Sequence, residues 1–209
     1  NLNEKNKLTL SYYSLKDKIK FSGSEFNDTN TNVKELDFSI DITLKNQTTA
    51  ADWLHIFNKK TTATFTAYYT NYTNGITLTE TDYTAPIGSN AISDYSVRFS
   101  AGEVGAQADF EHRRNKKMLL RYGLQNRLHL NNSGSLVDKR YTIDGDLIAN
   151  DQYGDTVIQK GIETSLYIEN EYTYSDKLAF NVGLRTTLYS YHDFTRFYPE
   201  PRFSGRYLL

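Results

Sequence analysis

The sequence predicts an all-β fold: an antiparallel up-and-down sheet of about eight strands forming a transmembrane β-barrel wall. Three observations predict it. The first is periodicity. Between Leu178 and Tyr189, Leu178, Phe180, Val182, Leu184 and Leu188 share one parity, while Ala179, Asn181, Gly183 and Arg185 take the other. Successive strand side chains point to opposite faces, so one face is apolar and the other carries charge. The second is length. Such segments recur at roughly the nine to eleven residues a membrane-spanning strand needs, against about five or six in soluble domains. The third is that short polar turns alternate with long connections, as in outer-membrane barrels with their short turns in the periplasm.

Taken in order, the pattern predicts strands over Lys7 to Lys16, Leu36 to Phe57, Thr61 to Tyr72, Tyr95 to His112, Met118 to Leu130, Gly161 to Tyr174, Leu178 to Tyr189 and Arg202 to Leu209. The second is long enough to be one projecting strand or two strands with a turn near Asn46-Gln47. In the fourth, Val97, Phe99 and Ala101 are out of step with Val104, Ala106, Ala108 and Phe110, so a bulge near Gly102-Glu103 is expected to restore the register. In the fifth, Met118, Leu120, Tyr122, Leu124, Leu128 and Leu130 alternate with polar residues such as Arg121, Gln125, Arg127 and His129. The sixth sets Ile162, Leu166 and Ile168 against Glu163, Ser165 and Glu169. The short turns are Phe57 to Lys60, His112 to Lys117 and Tyr174 to Lys177. The long connections are Asp17 to Glu35, Thr73 to Asp94, Asn131 to Lys160 and Ser190 to Pro201, most of them rich in Asn, Asp, Gly, Ser and Thr.

Composition narrows the function. The net charge is -1, with lysine and arginine mostly interleaved with acids, so no nucleic-acid partner is indicated. No apolar run is long enough for a transmembrane helix, yet a hydrophilic average is compatible with a barrel, where every second residue faces the lumen. Cysteine is absent, which removes disulfides, thiolate metal sites and thiol nucleophiles. The 17 tyrosines suit both strands and membrane interfaces. Trp53, Phe57, Tyr172 and Tyr174 fall near short turns, and Tyr69, Tyr72, Tyr189 and Tyr191 near long connections, as two aromatic girdles would. The chain begins at Asn1 without a targeting signal and stops inside an alternating segment, so a piece of a longer barrel is expected.

No residue is assigned a catalytic, cofactor-binding or metal-ligating role. His55, His112, His129 and His192 lack zinc spacing and read as ordinary strand and loop residues. No nucleotide or nucleophile motif is present, and the chain is not read as an enzyme. Asp144, Asp146, Asn150, Asp151 and Asp155 crowd one loop that could hold calcium, but they depart from EF-hand spacing and are also plain turn formers. On a barrel, Arg98, Asp109, Glu111, Arg121, Arg127, Glu163, Glu169, Glu171, Arg185, Arg202 and Arg206 face the lumen. There they could pair across strands and with a plug, or simply solvate one face.

The run Tyr167-Ile168-Glu169-Asn170-Glu171, a short turn, then Leu178-Ala179-Phe180-Asn181-Val182-Gly183-Leu184-Arg185 resembles a hairpin of TonB-dependent outer-membrane receptors. Glu200-Pro201-Arg202-Phe203-Ser204 is similar to the start of the next strand in that family. Asp109-Phe110 with Asn115, Leu120 and Gly123 resembles an earlier hairpin, with Met118 where the family has His. The Trp53-Leu54-His55-Ile56-Phe57 turn entry resembles Bacteroidetes-type receptors. These short matches run in family order from Asp109 to Ser204. The resemblance implies an outer-membrane receptor and transporter with about 22 strands around an N-terminal plug that this stretch lacks. It also implies outer-membrane lipid, the plug and through it TonB as partners, and a siderophore, cobalamin, glycan or peptide as ligand. Two alternatives stay open: a complete small barrel of structural or adhesive role, and a soluble β-sandwich binding module.

Overall fold

The computed structural model of the chain describes residues 3–29, 32–154 and 157–208. They form β1 (Asn6–Thr29), β2 (Asn32–Asn58), β3 (Thr61–Asp82), β4 (Ile92–Asn115), β5 (Met118–Tyr141), β6 (Leu147–Tyr153), β7 (Gln159–Thr173), β8 (Leu178–Tyr191) and β9 (Phe194–Tyr207), with no helix. All join one antiparallel sheet in the order β1-β2-β3-β4-β5-β7-β8-β9. β6 pairs only the far half of β5, Leu136 to Tyr141, while β7 pairs its near half from Met118 to Asn131. β6 and β7 therefore lie end to end along β5.

The sheet is taller than alternation predicts. β1 to β5 run 22 to 27 residues, and most of Asp17 to Glu35, Thr73 to Asp94 and Asn131 to Lys160, expected as long connections, is strand. Ser190 to Pro201 is a tight turn at His192-Asp193 followed by β9, so Arg202 lies mid-strand. Pro199 and Pro201 hide this strand from a propensity reading, because proline lacks the ladder donor and is confined to positions such as edge strands. β2 is one strand with no turn at Asn46-Gln47, in unbroken register with β1 from Asn6↔His55 to Thr29↔Asn32.

β4 has no bulge at Gly102-Glu103. Its register with β3 is continuous from Thr61↔His112 to Thr81↔Ile92. The parity change has another cause: the apolar side chains move to the opposite face of the sheet. The face carrying Gln125 is the front and the one carrying Leu124 the back. Near the short turns, one register line on the back reads Trp53, Phe65, Ala108, Leu124, Leu166, and one on the front reads Asp52, Thr66, Gln107, Gln125, Ser165. Toward the far end, a back line reads Lys18, Thr43, Gly75, Arg98, Ser135 and a front line Ile19, Ile42, Ile76, Val97, Leu136. The exchange falls near Gln47, Asn71 and Gly102. The true bulge lies beyond it, where β5 inserts a residue opposite Arg98 to Ser100. Gly134 takes φ 95° there, a conformation that suits glycine.

A sheet of one layer has no conventional core. Among the described residues the buried apolar side chains are Ala63, Ala91 and Ala179, whereas Leu124, Leu166, Ile168 and Val182 on the back are 45%, 56%, 51% and 55% exposed. The front is the crowded side, with Ser165 1% and Gln125 9% exposed. Among the described residues β1 and β9 do not pair with one another, so the sheet is open, and no second sheet covers it as a sandwich would require.

Candidate functional site: the polar network of the front face

The near half of the front face carries a connected network across β3, β4, β5, β7 and β8, with two smaller ion-pair groups beside it, one of them reaching β9. Alternation places its members on one face, and antiparallel register brings them within reach of one another. Glu163 is the hub. Its carboxylate lies 3.6 Å from Arg127 Nη1, 3.7 Å from His129 Nε2 and 3.9 Å from Arg185 Nη2. The other ring nitrogen of His129, Nδ1, is 3.1 Å from Glu103 Oε2, so the imidazole sits between two carboxylates. The Tyr68 hydroxyl donates to Glu103 Oε1.

Neutral groups join these charges into one layer. Gln125 Oε1 accepts from Arg127 Nη2 at 2.8 Å and Arg185 Nη2 at 2.9 Å. Gln125 Nε2 donates to Gln107 Oε1 at 2.8 Å, and Gln107 Nε2 donates to Asp109 Oδ2 at 2.6 Å. Asp109 Oδ1 accepts from the Tyr167 hydroxyl at 2.5 Å. Buried Ser165 exchanges a hydrogen bond with Thr187 at 2.9 Å and accepts one from Arg185 at 3.2 Å. Closer to the turns, Arg121 bridges Glu111 at 2.8 Å and Glu171 at 3.3 Å. Arg202 bridges Glu169 and Glu200, both at 3.3 Å.

Of the residues expected to face the lumen, Asp109, Glu111, Arg121, Arg127, Glu163, Glu169, Glu171, Arg185 and Arg202 enter these pairings. Arg98 does not: it lies beyond the exchange and faces the back, aligned with Lys18 and Thr43 rather than with Arg127. Arg206 pairs with Ala179 in the β9 ladder, outside these contacts. Glu103, His129, Tyr68, Gln107, Gln125 and Tyr167 also belong to the network without being singled out by sequence; His129 is a strand residue, as expected, and contacts two carboxylates. The signal for it was its parity, which it shares with Arg127, and its place opposite Glu103 becomes visible only with the β4–β5 register.

The network ties five strands together through side-chain hydrogen bonds and ion pairs. Among the described residues no cluster of His, Asp or Glu could hold a metal ion. The acidic loop suggested for calcium is the β5–β6 hairpin, where Asp151 Oδ2 accepts from Arg140 Nη2 at 2.6 Å; Asp155 lies outside the described residues. Hydrogen bonding to Asp151, with the Asp138 charge 3.8 Å away, holds the Arg140 guanidinium pKa above its ordinary value.

Beyond the network the front becomes apolar, with Ile76, Val97, Phe99 and Leu136 grouped across β3, β4 and β5. The polar layer thus has an apolar, partly exposed surface at its far end. No family model matches the chain, and no curated protein matches it.

Proposed function

We propose that the chain forms part of the wall of an outer-membrane β-barrel of the TonB-dependent receptor type, taking up a small-molecule, glycan or peptide ligand. The observation that carries the membrane reading is the exchange of the apolar face along continuous strands. On β7 the mainly apolar back runs from Ile162 to Tyr172, interrupted by Thr164 and Asn170, a height of about ten residues that matches the roughly 25 Å apolar band of a tilted barrel. Beyond it the same face carries Lys16, Lys18, Lys45 and Arg98, as a wall re-entering water does.

Strand length supports this reading. A strand of 24 residues spans about 80 Å at ~3.3 Å per residue, so even when tilted it projects past a bilayer about 40–45 Å thick. The open edges of β1 and β9 are where further strands would continue the wall, since closure alone removes a barrel's edges. The receptor assignment rests on the hairpin resemblance. The front network then supplies polar contacts for a plug, and the apolar front beyond it meets ligand or plug loops.

Fractionation of the native protein that contains this chain tests the reading. Recovery from outer membranes only with detergent, at several times 24.1 kDa, is the expected result. A detergent-independent species near 24.1 kDa would overturn it.

A further inference from the structure

Four turns at the near end of the sheet repeat one geometry. In Asn3-Glu4-Lys5, Asn58-Lys59-Lys60 and Asn115-Lys116-Lys117, the asparagine Oδ1 accepts from the lysine backbone N–H two residues on, at 2.9, 2.8 and 2.9 Å. In Ser175-Asp176-Lys177 the serine Oγ does so at 3.4 Å. The carbonyl of that lysine then accepts a backbone N–H from the next hairpin in all four: Lys5 from Ile56, Lys60 from Arg113, Lys117 from Thr173 and Lys177 from Leu208, each at 2.8 Å. These bonds fix a lysine at every second inter-strand gap, about 10 Å apart.

Lys59 and Lys116 double the charge of two of these turns, against Glu4 and Asp176 in the others. Among the described residues, none of these six ammonium groups forms an ion pair with a carboxylate. Beside the row, on the apolar back, four rings make a continuous belt: Trp53 to Phe65 at 5.2 Å, Phe65 to Phe110 at 5.9 Å and Phe110 to Tyr122 at 5.1 Å between centroids.

We propose that this row is a binding rim for anionic phospholipid headgroups in the leaflet at the short-turn end. The inference rests on the membrane reading above. Aromatic rings take the level between acyl chains and headgroups, and unpaired cations just past them meet the phosphates. The charges are spread along the edge of the lipid-facing surface rather than gathered into a pocket, which fits an array of headgroups better than one small anion.

The test uses the full-length protein carrying this wall, reconstituted in phosphatidylcholine vesicles with trace spin-labelled phosphatidylglycerol or phosphatidylcholine. The motionally restricted fraction measures each lipid's association with the protein surface. Phosphatidylglycerol is expected to be favoured about threefold, with the preference falling toward one in 0.5 M salt and in the K59Q/K60Q/K116Q/K117Q variant. These substitutions leave the turn backbone bonds in place, and unchanged heat-modifiable migration would verify folding. Equal association of both lipids with the wild type would overturn the rim, as would a preference that survives the four substitutions or is abolished instead by K16Q/K18Q/K45Q. A protein that restricts neither lipid would overturn the membrane reading itself.

Discussion

Tyr167 lies across Gly123, its register partner on β5, and only a residue without a side chain leaves room for it. A Cβ at position 123 would sit 2.5 Å from Tyr167 Cε1 and 2.7 Å from the Ala108 carbonyl oxygen. The same joint forms where Tyr68 lies over Gly105, whose Cβ would run into the ring. In both cases the ring spans the glycine and its hydroxyl reaches a carboxylate, Asp109 or Glu103.

Gly123→Ala is therefore expected to destabilise the sheet by about 2–3 kcal/mol, because Ala108 presents backbone that cannot swing aside. Tyr167→Phe, which removes only the hydroxyl, should cost about 1 kcal/mol. Gly75→Ala is the control. Its Cβ would meet nothing closer than the Val97 oxygen at 4.0 Å, so it should be neutral or stabilising by up to about 1 kcal/mol. Urea unfolding in lipid vesicles gives all three values, and equal costs at Gly75 and Gly123 would contradict the joint.

Glu163→Gln should cost about 1–2 kcal/mol, since Arg127 and Arg185 lose an anionic neighbour while remaining crowded by Gln125. Adding Arg127→Met should recover part of that loss. A double-mutant cycle in which the two changes add without interaction would remove Glu163 from its place as hub.

Ala67 and Thr77 are both on the back, one within the apolar band and one past the exchange. Ala67→Arg is expected to weaken folding into vesicles by about 2–4 kcal/mol, and Thr77→Arg by less than about 1 kcal/mol. Comparable costs at the two positions would deny that the face changes its solvent.

Asn58→Ala and Asn115→Ala each remove a side-chain acceptor from a two-residue turn, and each should lower stability by about 0.5–1.5 kcal/mol. Thermal unfolding of the two single variants and of the pair would also show whether the turns act independently, as their separation on the sheet predicts.

How much of this was legible in the sequence depends on where along a strand one looks. Between Met118 and Leu130 strict alternation identifies the strand, its faces and the network positions Arg121 and Arg127. Beyond Lys16 on β1, or upstream of Ala101 on β4, the alternation continues with its apolar parity reversed, and reversal in a single sequence looks like a strand end or a bulge. The Gly102-Glu103 expectation failed for that reason. β6 is invisible in the sequence because its seven residues, with Leu147, Ile148 and Ala149 adjacent and Asn150, Asp151 and Gln152 adjacent, show no alternation next to a Gly-containing turn.

The sequence by itself determined the class of structure: antiparallel strands, alternating faces and Asn-x-Lys turns follow from local sterics and side-chain chemistry, which need no distant partner. The tertiary structure alone decided register. It is the pairing of β4 with β5 and of β5 with β7 that sets His129 between Glu103 and Glu163, and that aligns Arg98 with Lys18 instead of Arg127. A one-residue slip would send every side chain to the other face, so no segment read alone can say which residues meet.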